Sequence, residues 1–150
     1  VCENNLYSVY SGLSVRQPKN RKIHEMVNSM GIKSTSCDGN DAIKCHQLLQ
    51  DTIQSIRNGN GPRFIEFYTY RWLEHCGPNY DNDLGYRENS EFLRWKEKDP
   101  LKVIESKIEN TDEINNLKNM INIKIEKAFT FAEKSPYPDQ SDAYSGVYAN

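Results

Sequence analysis

The sequence predicts an α/β protein: a mainly parallel sheet with flanking helices, followed by a helical C-terminal region. Three observations carry this. Between Val1 and Tyr70, short β-prone runs alternate with stretches of helical period, an order that closes into parallel strands through right-handed crossovers. The run Phe64 to Tyr70 is crowded with aromatics, which suits a strand buried on both faces. From Glu88 onward the apolar residues recur only at helical spacing.

Val1-Cys2 reads as the end of a strand that runs into Glu3-Asn4-Asn5-Leu6-Tyr7. A strand that starts in its middle implies a missing N-terminal segment. Ser8 to Asn20 carries Gly12 and Pro18 with no sustained period and reads as loop. Ile23, Val27 and Met30 define a helix from Arg21 that Gly31 closes. Ile32 to Cys37 is a short strand. Asp38-Gly39-Asn40-Asp41 is a turn with helix-capping residues, and its spacing lacks the later ligands of a calcium loop. Ala42, Cys45, Leu49, Ile53 and Ile56 mark one helix face, ended by Asn58-Gly59. After the Phe64–Tyr70 strand comes a long polar loop to Arg87. Glu88 to Lys98 is helical, Asp99-Pro100 breaks it, and Leu101 to Ile108 is a short helix. Asn110-Thr111-Asp112-Glu113 resembles a capping box that opens a long helix. Its stripe is Ile114, Leu117, Ile121, Ile125, Ala128 and Ala132, and Ser135-Pro136 stops it. The tail is polar, with Tyr144, Val147 and Tyr148 as docking points.

A chain of 150 residues has room for one domain with a core. The 19 basic and 21 acidic residues leave a net charge of -2. That balance argues against nucleic acid or a membrane surface as the main partner. Only 37% of residues are hydrophobic, low for a self-sufficient domain and expected if part of the core lies in a missing segment. No apolar run reaches the ~20 residues needed to span a bilayer, and a cytoplasmic protein is expected. Cys2, Cys37, Cys45 and Cys76 form no CxxC pair. They read as reduced thiols rather than a zinc site or a disulfide framework.

Chemistry concentrates at the predicted carboxyl ends of the strands, where ligands of such sheets bind. Asn4-Asn5 is a turn former, or an oxygen site for a hard cation. Arg71 directly follows a strand. It is a surface arginine, one paired with Glu66 or Glu74, or a phosphate clamp. His75 lies in the polar loop just beyond, placed for acid–base work or a phosphate contact. His24 and His46 fall on predicted helices and read as structural or solvated. Asn79 to Asp83 adds two loop carboxylates.

Taken in order, the blocks VCENNLYS, GIKSTSCDGND, GNGPRFIEFYTYRW, His75 followed by DLGYR, DPL, FAEKSPYP and VY resemble the alpha subunit of thiamine diphosphate-dependent 2-oxo-acid dehydrogenases, the pyruvate and acetoin dehydrogenase group. Each block is weak alone; the ordered set is specific. The resemblance implies the C-terminal portion of one thiamine diphosphate-binding domain, with sheet and active-site loop over residues 1–87 and a helical wrap and tail over 88–150. It implies thiamine diphosphate and Mg²⁺ as cofactors, with Asn5 and the Tyr7 carbonyl as metal ligands. Arg71 and His75 are expected at the diphosphate, His75 also as the catalytic residue, and Tyr86 and Arg87 at the end of a loop that orders over the cofactor. A Gly-Asp-Gly stretch with a further metal ligand is expected upstream. The implied partners are a beta subunit in an alpha-beta heterotetramer, which contributes a glutamate, a lipoyl-bearing acyltransferase and a small 2-oxo acid.

Two departures stand out. The family's Gly-His-Ser reads Glu74-His75-Cys76 here, so the serine presented to a regulatory kinase in mitochondrial relatives is missing. The loop after His75 is also slightly longer. These leave open an enzyme that uses the same cofactor on acetoin or a sugar intermediate without a lipoyl acceptor, and a non-catalytic interaction module.

Overall fold

A computed structural model describes residues 1–148. Within them the chain divides into two compact units, Val1–Lys107 and the residues from Ile108 onward.

The first unit is built on a parallel sheet of β1 (Cys2–Asn4), β4 (Lys33–Asp38) and β5 (Arg63–Tyr68), in the order β1-β5-β4. Glu3 pairs with Phe67, and Thr35 with Ile65. Asn4, Tyr68 and Asp38 therefore end at one level. Helix α2 (Ile23–Ser29) and helix α3 (Ala42–Arg57) are the crossovers, as the alternating pattern predicts. Helix α3 is opened by the Asp41 side chain, which accepts from the Lys44 N–H at 3.1 Å. Gly39 is required by close approach rather than by its φ. A Cβ there would sit 2.6 Å from Thr69 Cγ2 and 2.9 Å from the Tyr68 carbonyl oxygen.

Several elements differ from their sequence readings. Residues 8–20 are not all loop. Strands β2 (Tyr7–Ser8) and β3 (Ser11–Gly12) form an antiparallel hairpin, and a single helical turn, α1 (Leu13–Arg16), follows. Asp99-Pro100 starts a helix as well as ending one. Asp99 caps α5 (Pro100–Glu105), with Pro100 in its first turn, where a missing N–H costs nothing. The α3 stripe is turned: Ala42, Ile53 and Ile56 are exposed, while Leu48, Leu49 and Thr52 are partly covered.

The core is small: Ile65, Phe67, Tyr70 and Phe92. Tyr70 stacks on Trp95, with 5.5 Å between ring centroids and 12° between planes, and meets Trp72 edge-on. These contacts hold helix α4 (Asn89–Lys96) against the end of β5. Glu66, in the middle of β5, is fully buried. Its neighbours supply the donors a buried carboxylate needs. Among the described residues no helix is long and apolar enough to cross a membrane.

In the second unit, α6 (Thr111–Lys134) begins where the Asn110 side chain accepts from the N–H groups of Asp112 and Glu113. Its Leu117, Ile121 and Ile125 are exposed. Tyr144, Val147 and Tyr148 of the tail are exposed too.

Candidate functional site

The carboxyl end of β1 passes into two consecutive side-chain turns. Asn4 Oδ1 accepts from the Leu6 N–H at 3.1 Å, and Asn5 Oδ1 accepts from the Tyr7 N–H at 3.0 Å. Between them Leu6 takes a left-handed φ of 71°. That is uncommon for a non-glycine residue and costs of order 1 kcal/mol. The hairpin tip repeats the strain, with β-branched Val9 at φ 57°.

The hairpin also aims a carbonyl. The Leu13 N–H donates to the Leu6 carbonyl at 2.8 Å, and Tyr7 faces Gly12 one step along. Antiparallel pairs alternate between hydrogen-bonded and open, so Tyr7 occupies an open pair. Its N–H turns out to Asn5 Oδ1. Its carbonyl lies on that same side, since both groups of an extended residue point one way. Two uncharged oxygens, Asn5 Oδ1 and the Tyr7 carbonyl, thus share one side of the turn. They are hard donors of the kind that fits Mg²⁺. Among the described residues no group of three or more His, Cys, Asp or Glu side chains is arranged to hold a metal ion.

Arg71 meets this turn from the end of β5. Its Nη2 donates to the Val9 carbonyl at 2.9 Å and to the Tyr86 hydroxyl at 2.9 Å, and its Nε donates to the Leu73 carbonyl at 3.0 Å. Its acidic partner is neither Glu66 nor Glu74. It is Asp81, 3.7 Å away. Nη1 makes none of these bonds.

Asp81, named in the sequence only as one of two loop carboxylates, is the hub of the loop. It is 2% exposed. One oxygen accepts from the Tyr86 hydroxyl at 2.6 Å, and the other from Arg87 Nη2. Arg87 is buried as well. Its Nη1 donates to the Arg71 carbonyl at 2.7 Å, and its guanidinium lies over the rings of Tyr70 and Tyr86. Tyr86 packs edge-on against Tyr7 at 5.5 Å and Tyr10 at 5.4 Å. Burial pushes the Tyr86 hydroxyl up, and its bond to Asp81 adds to this. The Tyr7 hydroxyl is raised too, by burial and by its bonds to the Glu91 carboxylate at 2.8 and 2.9 Å. Arg71, Tyr86, Tyr7 and Arg87 therefore form one assembly.

His75 stands apart. It is exposed, as is Cys76. The turn that carries it is pinned by Glu74, whose Oε1 accepts from Asn79 Nδ2 at 2.9 Å and from the Asn79 N–H at 3.2 Å. The glutamate that departs from the family pattern thus closes its own loop. A Cβ at Gly77 would lie 2.2 Å from Glu74 Oε1, so a side chain there would have to displace the Glu74 carboxylate.

A family profile described as "Dehydrogenase E1 component" matches residues 1–141. The chain belongs to this family. Among its relatives are the pyruvate dehydrogenase E1 component subunit alpha of Porphyra purpurea and the 2-oxoisovalerate dehydrogenase subunit alpha of Bacillus subtilis. The first is 28% identical over 156 residues, covering all of this chain and 44% of that protein. The second is 29% identical over 154 residues, covering 99% of this chain and 46% of that protein. A chloroplastic pyruvate dehydrogenase alpha subunit of Arabidopsis thaliana is 28% identical, with 35% of its length covered. The chain spans less than half the length of these curated relatives. The parallel sheet with flanking helices matches the predicted fold class.

Proposed function

We propose that this chain is the cofactor-binding C-terminal portion of an E1 alpha subunit that acts with thiamine diphosphate and Mg²⁺ on a small 2-oxo acid. What supports the reading is that the Asn5 turn and the Arg71 guanidinium are joined through one hairpin after β1. Asn5 Oδ1 and the Tyr7 carbonyl share a side of the β1 turn, and Arg71 bonds the hairpin that follows. Family membership over residues 1–141 supports it.

In this reading Asn5 and Tyr7 offer the cation two neutral oxygens and leave charge balance to the diphosphate and to a carboxylate upstream. Arg71 Nη1 donates to a diphosphate oxygen, a contact suited to a planar guanidinium. Thiamine diphosphate, when bound, supplies the electron sink for cleavage beside the substrate carbonyl. His75, unburied at the loop tip, holds or delivers a proton at the substrate oxygen. Tyr86 and Arg87 support the site through Asp81 rather than by touching the reacting atoms. A beta subunit completes the site with a glutamate, and a lipoyl-bearing acyltransferase accepts the acyl group.

Titration calorimetry of the full-length gene product with its partner subunit tests the assignment. Thiamine diphosphate should bind in a Mg²⁺-dependent way, and Asn5→Ala should weaken it by about 10-fold or more, the scale of a lost metal–oxygen contact. Equal affinity in variant and parent would remove Asn5 from the metal site.

A further inference from the structure

The cation turn is set from behind by a buried carboxylate. Glu66 lies inside β5, fully buried, on the sheet face covered by α2. Its Oε1 accepts from Asn4 Nδ2 at 2.7 Å. Its Oε2 accepts from the His24 N–H at 2.9 Å and contacts His24 Nδ1 at 2.7 Å. The Ser34 hydroxyl closes the network by donating to the His24 carbonyl. Burial opposes the charged form of Glu66, but the donors from Asn4 and His24 outweigh it and hold its carboxyl below the usual range.

We infer that Glu66 is a positioning residue for the cation site, acting through Asn4. A carboxylate can only accept, so it fixes which way the Asn4 amide faces. With Nδ2 committed to Glu66, Asn4 Oδ1 must point to the backbone. There it takes the Leu6 N–H at 3.1 Å. That bond holds Leu6 at φ 71°, and the left-handed step brings Asn5 Oδ1 and the Tyr7 carbonyl to one side. The main chain repeats the link, since the Thr69 N–H donates to the Asn4 carbonyl at 2.9 Å. Without Glu66, Asn4 is free to flip, the strained turn loses its tether, and the two oxygens part. This rests on the reading of Asn5 and Tyr7 as cation ligands, and it places Glu66 and Asn4 behind them as a second layer.

The chemistry allows an exchange test. Glu66→Gln offers one acceptor and one donor where two acceptors are needed, so either Asn4 Nδ2 or the His24 N–H faces a donor. Asn4→Asp puts two carboxylates face to face. The double variant Asn4→Asp/Glu66→Gln satisfies every group again. The new amide donates to Asp and accepts from His24, and the other Asp oxygen accepts from Leu6. The experiment measures the Mg²⁺ midpoint for thiamine diphosphate binding, together with thermal unfolding, on the full-length subunit with its partner. Each single variant should raise the midpoint by about 10- to 100-fold, with thiamine diphosphate affinity at saturating Mg²⁺ close to parental. The double variant should return the midpoint to within a few-fold of the parent.

A single variant that folds and keeps the parental midpoint overturns the inference, and so does a double variant that rescues neither the midpoint nor, where the single variants fail to fold, the fold. A parent that binds thiamine diphosphate without regard to Mg²⁺ sinks the reading of the Asn5 site itself, and the inference with it. A purely packing role for Glu66 would lower thermal stability in both single variants without moving the Mg²⁺ midpoint.

Discussion

Asp81→Asn should loosen the loop from Gly77 to Arg87 while leaving the sheet intact. Asp81 is 2% exposed, and it is met by the Arg87 guanidinium, by the Tyr86 hydroxyl at 2.6 Å and by Arg71 at 3.7 Å. Asparagine keeps one acceptor and gains a donor. If it keeps Arg87 on its oxygen, its amide can only donate to Tyr86, which must find another acceptor for its own proton, and it balances neither arginine. Removing one member of a buried ion pair costs about 3–5 kcal/mol. Arg71 is partly exposed and its distance is long, so its share is small, and the lower end applies. About 3 kcal/mol is roughly 150-fold in the population of the open loop. Hydrogen exchange read by mass spectrometry on the full-length protein measures this directly. Amides of residues 77–87 should exchange about 100-fold faster, while those of Arg63–Tyr68 keep their parental protection. Parental exchange in the loop of a folded Asp81→Asn protein would refute the hub assignment.

Gly39→Ala should destabilise the protein by about 1–3 kcal/mol, read as a lower urea midpoint, because its Cβ would press on Thr69 and the Tyr68 carbonyl. Burial, then the neighbouring Cys37, pushes the Cys45 thiol up to about 11. Cys45 should therefore alkylate far more slowly at neutral pH than exposed Cys76, as peptide mapping after iodoacetamide treatment would show. Glu66 has a lowered folded pKa. Its contribution to stability is thus fully present above the unfolded value of about 4.3. It is lost as pH falls through the folded value. Urea unfolding across the acid range should show a shallower loss of stability in Glu66→Gln than in the parent. Equal slopes would mean that this carboxylate does not ionise differently on folding.

The strand and helix order was legible because it depends on local periods. Strand β5 and helices α3, α4 and α6 lie where their patterns put them. The β2–β3 hairpin was not, for a local reason. Its strands have two residues each, and its tip is Val9-Tyr10 rather than the Gly or Asn that signals such turns. Tertiary bonds hold Val9 against its preference, Arg71 among them. Glu66 was hidden for the opposite reason. The sequence offered it only as a partner for Arg71, and only the fold brings Asn4 and His24 to it. Asp81 was visible as a residue but not as a hub, because its partners lie before it and after it in the chain and meet only when the loop doubles back. Asn5, Arg71 and His75 were singled out by residue type and position, and family resemblance gave them roles and added Tyr7. The spacing alone supported each of them weakly.

The bonds of Arg71 bear on how the proposed site behaves as a whole. One nitrogen serves the Val9 carbonyl of the hairpin and the Tyr86 hydroxyl of the loop. Tyr86 in turn packs on Tyr7, whose N–H donates to Asn5 Oδ1. A displacement of the loop end therefore pulls on the same hairpin that carries the proposed cation ligands. An anion that draws Arg71 forward would strain the Val9 bond, the Tyr86 bond or both. In the proposed reading, cation binding at the turn and ordering of the segment up to Arg87 are then expected to be coupled. Each stabilises the arrangement the other needs, by whatever differential free energy the shared arginine transmits. His75 lies outside this lock, on a turn closed by Glu74 and Asn79.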